Sequence, residues 1–136
     1  MSDARKIAPK RILIADDAAS ARDLVRCTLA PSGYEIFEAE DGEEALECAR
    51  RFEPDLIILD LQMPKLDGCS VASRLRSMPL FEYTPILALS AAISQTEHAK
   101  LIHAGFSSFL TKPTSPARLR SAVGMLFNGA RVQEGT

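Results

Sequence analysis

Five polar side chains stand at the ends of short segments of the sequence, three of which are unbroken apolar runs. Asp16-Asp17 follows Ile12-Leu13-Ile14-Ala15, Asp60 follows Leu56-Ile57-Ile58-Leu59, Ser90 follows Ile86-Leu87-Ala88-Leu89, and Lys112 follows Ser108–Thr111. If the runs are neighbouring parallel strands, their carboxyl ends share one rim, the edge at which open α/β sheets bind ligands. Three acids, a hydroxyl and a lysine then converge. Singly, each has an ordinary explanation: Asp after a strand is a common turn or cap residue, and lysine is a common surface residue. Together they pose an electrostatic problem. Two carboxylates about 4 Å apart repel by roughly 4 kcal/mol at an effective dielectric of 20, so three need a cation or a proton. Lys112 supplies one positive charge. A hard divalent cation held through oxygens supplies the rest, and Mg2+ suits carboxylates combined with waters and a phosphoryl oxygen. The constellation is therefore that of a site for Mg2+ and an incoming phosphoryl group.

Positioning these residues requires a particular set of elements. The three continuous apolar runs predict strands covered on both faces, as in a parallel sheet, and weaker strands are expected at Tyr34–Ala39 and Ser108–Thr111. Amphipathic segments separate them. Ala19–Ala30 is expected to turn Leu24, Cys27 and Leu29 inward and to end near Pro31-Ser32-Gly33. Asp41–Phe52 opens with an Asp cap and Glu44 three residues later. Gly68–Met78 follows a turn at Pro64–Gly68, and Ser94–Ala104 opens with a capping box, Ser94 and Glu97, and stops at Gly105. Ser115–Asn128 has Ser115 as cap and Pro116 at the first helical position, where a missing N–H costs nothing. Five strands alternating with five helices predict a doubly wound α/β fold with right-handed crossovers. One domain is expected over 11–128, between flexible segments 1–10 and 129–136.

Composition narrows the function. Of 136 residues, 46% are hydrophobic and 25% charged, which excludes dominant disorder. A net charge of −2 makes no general case for nucleic-acid binding, so no direct nucleic-acid partner is expected. No apolar run is long enough to insert in a membrane, and Met1–Lys10 lacks an apolar signal core, so the expected location is cytoplasmic. Cys27, Cys48 and Cys69 form no CxxC and are expected to be reduced thiols packed as small apolar side chains. His98 and His103, five residues apart, fit neither a metal site nor a catalytic base.

With Asp16-Asp17, Asp60 within Asp60-Leu61-Gln62-Met63-Pro64-Lys65-Leu66-Asp67-Gly68, Ser90-Ala91 and Lys112-Pro113, the chain resembles a response-regulator receiver domain of the CheY-like family. The resemblance covers roughly Arg11 to Phe127, and its strength lies in the ordered set, with gaps of 43, 30 and 22 residues between Asp17, Asp60, Ser90 and Lys112. It implies a flavodoxin-like sheet of strand order 2-1-3-4-5. It implies Asp60 as phosphoacceptor for a phosphohistidine, and Asp16, Asp17, Asp60 and the Gln62 backbone carbonyl as ligands of Mg2+. Lys112 and Mg2+ would stabilise charge on the phosphoryl oxygens, and Ser90 would donate its hydroxyl to one of them. Ser90 would be drawn toward the phosphoryl group, and Phe109, three residues before Lys112, would turn into the space it leaves. Phe replaces the commoner Tyr at 109, and Ser the commoner Thr at 90. Gln62 and Ala92 occupy the positions that flank the path of an attacking water.

The resemblance further implies a switch that assists its own phosphorylation and dephosphorylation, partnered by a histidine kinase or a histidine phosphotransfer protein and by a downstream protein target. The chain ends soon after its fifth helix, so a stand-alone receiver is the expectation. The small residues Ala18-Ala19-Ser20-Ala21 would let a histidine-bearing helix approach. Two other readings are weaker. An aspartate-dependent phosphatase wants a second acid where Gln62 stands. A nucleotide-binding flavodoxin-like protein wants a phosphate-binding loop after strand one, where two acids would repel phosphate.

Overall fold

The computed structural model describes residues 8–91 and 94–129. Its strands are β1 (Arg11–Ala15), β2 (Glu35–Ala39), β3 (Leu56–Asp60), β4 (Ile86–Ser90) and β5 (Ser108–Thr111). The helices are α1 (Ala19–Leu29), α2 (Gly42–Phe52), α3 (Gly68–Arg76), α4 (Gln95–Ala104) and α5 (Pro116–Phe127). Short 3-10 turns at Ala30–Ser32 and Pro79–Phe81 follow α1 and α3. The sheet is parallel throughout, in the order β2-β1-β3-β4-β5. The order reverses between β1 and β3, which places the ligand crevice beyond the carboxyl ends of those strands.

Alternation along each strand divides the core into two layers. Ile12, Ile14, Ile58 and Leu110 face α1 and α5, where Val25, Leu29, Leu119 and Val123 cover them. Leu13, Ile57, Leu59 and Phe109 face the other way, against Leu46 of α2, Val71 and Leu75 of α3 and Leu101 of α4. Continuous apolar strands are thus continuous because both faces are covered. β2 lies at the edge and is only half-buried, with Phe37 stacked on Phe52 at 4.3 Å between ring centroids.

The expected caps are present. Asp41, Ser94 and Ser115 each accept from the backbone N–H three residues on, and Ser94 and Glu97 form the reciprocal box. Asp67 caps α3 in the same way. Gly105 closes α4 at φ 111°, in the left-handed region.

Two expectations fail on helix rotation. Leu24 is 61% exposed and Cys27 is also exposed, because α1 buries Val25, Thr28 and Leu29, a stripe rotated from the expected one. Cys48 and Cys69 are half-buried against the core as expected, whereas Cys27 is not packed there. α3 stops at Arg76 rather than Met78, giving way to the turn that begins at Pro79. Residues 1–7 and 130–136, most of the two segments expected to be flexible, lie outside the described residues, as does Ala92.

Candidate functional site

Asp16 is the first residue beyond β1 and is almost fully buried, and every polar group it carries is engaged. Its N–H donates to the Ala39 carbonyl at 3.1 Å. Its Oδ1 accepts from the Ala18 N–H at 3.0 Å, its Oδ2 from Lys112 Nζ at 3.0 Å, and its carbonyl from Arg22 Nη1 at 2.7 Å. Asp17, next in the chain, is exposed. Asp60 ends β3 at 8% exposure, with Lys112 Nζ 3.3 Å from its Oδ1. Carboxylate oxygens of Asp16, Asp17 and Asp60 lie within 4.8 Å of one another. Ser90 ends β4 and is buried, and its carbonyl accepts from the Lys112 N–H at 2.6 Å.

A glycine sets the approach behind Asp60. The Gly68 N–H donates to the Leu61 carbonyl at 3.1 Å, and a Cβ at Gly68 would lie 2.6 Å from the Asp60 carbonyl oxygen. Only an unsubstituted residue lets α3 begin so close to the strand end.

The electrostatics follow from this crowding. Burial, then the charge of Asp16, pushes the Asp60 carboxyl above its usual range, against the opposing pull of Lys112 and the Gln62 N–H. For Lys112, burial favours the neutral amine. The hydrogen bond that Lys112 donates to Asp16 and the charges of Asp60 and Asp16 outweigh it, and its pKa is raised. Lys112 is therefore an ammonium between two carboxylates, with a third nearby.

Lys112 alone does not balance three carboxylates, and the ligating atoms on offer are all hard oxygens. That donor set fits Mg2+. A cleft of about 840 Å3 opens beside the acids, lined among others by Asp17, Gln62, Met63, Ser90 and Lys100. A second groove of about 540 Å3, bordered by Lys10, Asp55, Tyr83 and Phe127, lies at the opposite end of the strands and holds none of these residues.

The expected constellation is thus assembled: Asp16, Asp17 and Asp60 together, Lys112 between Asp16 and Asp60, and Ser90 and Gln62 on the same cleft. Phe109 is not on the rim. Its ring is 1% exposed in the core, and His98 of α4 packs on it with centroids 4.4 Å apart, tilted by 44°. His98 thus acts as a packing group. Two participants escaped the sequence reading. Arg22 was not singled out within Ala19–Ala30, yet it reaches the Asp16 carbonyl. Gly68 was visible only as part of a turn.

Comparisons with known proteins bear on the family and the fold. The family model for the response regulator receiver domain matches residues 12–124. The alkaline phosphatase synthesis transcriptional regulatory protein PhoP of Bacillus subtilis is 37% identical over 123 residues, covering 90% of this chain and 50% of that protein. The chain spans about half the length of such curated relatives. Among solved structures, the chemotaxis protein CheY4 of Vibrio cholerae superposes with a TM-score of 0.83 at 33% identity, covering 86% of this chain and 98% of that one. The receiver domain of sensor histidine kinase PA1611 from Pseudomonas aeruginosa has a TM-score of 0.81 at 28% identity and covers 90% of this chain and 100% of that one. That structure holds a magnesium ion in its active-site cleft.

Proposed function

From the premise that this chain belongs to the response regulator receiver domain family, whose general work is phosphorylation-activated signalling, we propose that Asp60 is its phosphoacceptor. The supporting observation is the bridge Asp16–Lys112–Asp60 at 3.0 and 3.3 Å, with Asp17 completing the acidic cluster. An Asp60 oxygen attacks phosphorus in a phosphohistidine and forms an acyl phosphate. The P–N bond breaks, and the departing imidazole takes up a proton.

Asp16, Asp17, Asp60 and the Gln62 backbone carbonyl would hold Mg2+, which when bound neutralises charge on the phosphoryl oxygens. Lys112 supplies a fixed ammonium beside the same oxygens, so little reorganisation is needed as charge develops. Ser90, at the end of the neighbouring strand, donates its hydroxyl to a phosphoryl oxygen in the product. Asp60 has no acid two residues on to serve as a general acid, so the chain works as a phosphoacceptor that assists its own labelling and its own loss of phosphate. Turnover as a phosphatase is not part of this reading.

The signal leaves through packing. Displacement of Ser90 toward the phosphoryl group changes the cover over Phe109, and α4, whose His98 rests on that ring, carries the change to the surface. This is a shift between two packings driven by differential contacts to the added charge. The phosphodonor is a histidine kinase or a histidine phosphotransfer protein, the receiver of the signal is a protein target, and the exchange is cytoplasmic. Ala18, Ala19 and Ser20 are exposed beside Asp17, leaving room for a donor helix.

Incubation with Mg2+ and acetyl phosphate tests the assignment by intact mass. One phosphoryl group is expected on the wild-type chain and none on Asp60→Asn. Equal labelling of both chains would remove Asp60 from this role.

A further inference from the structure

We propose that Arg22 is the positioning residue of the metal-facing loop: its guanidinium sets the direction in which Asp17 presents its carboxylate. The inference rests on the reading of Asp16 and Asp17 as Mg2+ ligands.

Arg22 lies on α1, its side chain 16% exposed. Nη1 donates to the Asp16 carbonyl at 2.7 Å, and Nε donates to Glu38 Oε1 at 3.1 Å. The other Glu38 oxygen accepts from Arg26 Nε at 3.0 Å, and Arg26 Nη2 reaches Asp23 at 2.6 Å. Glu38 sits on β2 opposite Ile14 of β1, two residues short of Asp16. The guanidinium is therefore held from the edge strand while it grips the loop, and a fork of this rigidity can engage both partners at once.

What it grips is the peptide unit joining Asp16 to Asp17. That unit is planar, so a fixed carbonyl also fixes the Asp17 N–H and the course of the chain into Asp17. The other polar groups of Asp16 are occupied by Ala39, Ala18 and Lys112, which hold Asp16 but not the peptide that follows. Asp17 is exposed and has no burial to orient it. Arg22 provides that orientation through the backbone.

Charge and position make opposite demands, and this separates the proposal from its alternative. As a cation beside an acidic cluster, Arg22 opposes the uptake of Mg2+ by Coulomb repulsion, so deleting its charge should tighten binding. As an orienting group it favours uptake, so deleting it should weaken binding. Groups that orient metal ligands are typically worth about 10- to 100-fold in affinity.

The experiment is calorimetric titration of the full chain with MgCl2, using wild type, Arg22→Met and Arg22→Lys, with urea melts to establish folding. The expected result is a Kd about tenfold weaker in Arg22→Met. Arg22→Lys, which keeps the charge but not the fork, should weaken binding in the same direction. An equal or tighter Kd in folded Arg22→Met overturns the proposal. Should that variant not fold, an Arg22→Lys Kd equal to wild type overturns it. Absence of Mg2+ uptake by the wild-type chain would instead sink the metal-site reading itself, an outcome distinct from unchanged affinity in the variants.

Discussion

Asp60 is held in a form that the fold does not favour by itself. Its carboxyl is pushed up by burial and by Asp16, so this group contributes stability below the ordinary carboxylate value of 3.8, and that contribution is lost as pH rises through its elevated pKa. At neutral pH the ionised group is a cost. Asp60→Asn should therefore stabilise the metal-free protein, by about 1 kcal/mol in urea melts with EDTA present; a destabilised variant would contradict this. Lys112 has the opposite sign. Its raised pKa gives stability that is complete below 10.5 and is lost as pH rises through the elevated value, so alkaline unfolding should shift to lower pH in Lys112→Ala. That variant should also label poorly with acetyl phosphate while remaining folded at neutral pH. Ser108 offers a test away from the site: its hydroxyl is buried without a hydrogen-bond partner, and Ser108→Ala should gain about 1 kcal/mol. At this scale the sequence showed the acids, Ser90 and Lys112, because each stands at the end of an expected strand. It did not show Arg22, because a half-buried arginine and a solvated one share the same helical spacing.

The elements were legible wherever two signals coincided. Ser94 with Glu97 before a helix, and Gly105 after it, bound α4 at both ends. The rotation of α1 was not legible. Leu24, Val25 and Cys27 can each begin a plausible apolar stripe, and the choice fell to packing against α5 and the sheet, which takes Val25, Thr28 and Leu29. α4 buries Leu101 alone, whereas α5 buries four residues, so its local stability leans on its caps. Ser94→Ala should cost about 1 kcal/mol and should raise amide hydrogen exchange in α4 before other helices. Uniform exchange across the five helices would show that the cap is not what holds it.

For the molecule as a whole, the strand order and the two-sided core make the acidic rim a property of the fold, since β1 and β3 are neighbours at the point where the order reverses. The whole chain should therefore register binding at that rim. Mg2+ at one hundred times its Kd should raise unfolding free energy by about 2.7 kcal/mol. Asp17→Asn should reduce that gain at the same concentration, and an identical gain would exclude Asp17 as a ligand. Parallel topology was readable because three strands, β1, β3 and β4, carry unbroken apolar runs. The edge position of β2 came with the strand order that the resemblance implied, and its charged residues Glu35 and Glu38 fit it, since a strand covered on both faces would not tolerate them.

The Arg76 guanidinium reaches the carbonyls of Phe81, Thr84 and Gly105 at 2.7, 2.6 and 2.9 Å, joining the end of α3 to the turn before β4 and to the end of α4. All three acceptors are main-chain atoms, which are present whatever side chain a position bears. At those three places the tie is blind to amino-acid identity; at a fourth it is not, because Nη2 reaches the Ser107 hydroxyl at 3.3 Å. The outer surface of that corner can change while the scaffold beneath keeps its shape, provided that Arg76 and Ser107 stay and Gly105, where a Cβ would strike the arginine stem, is left bare.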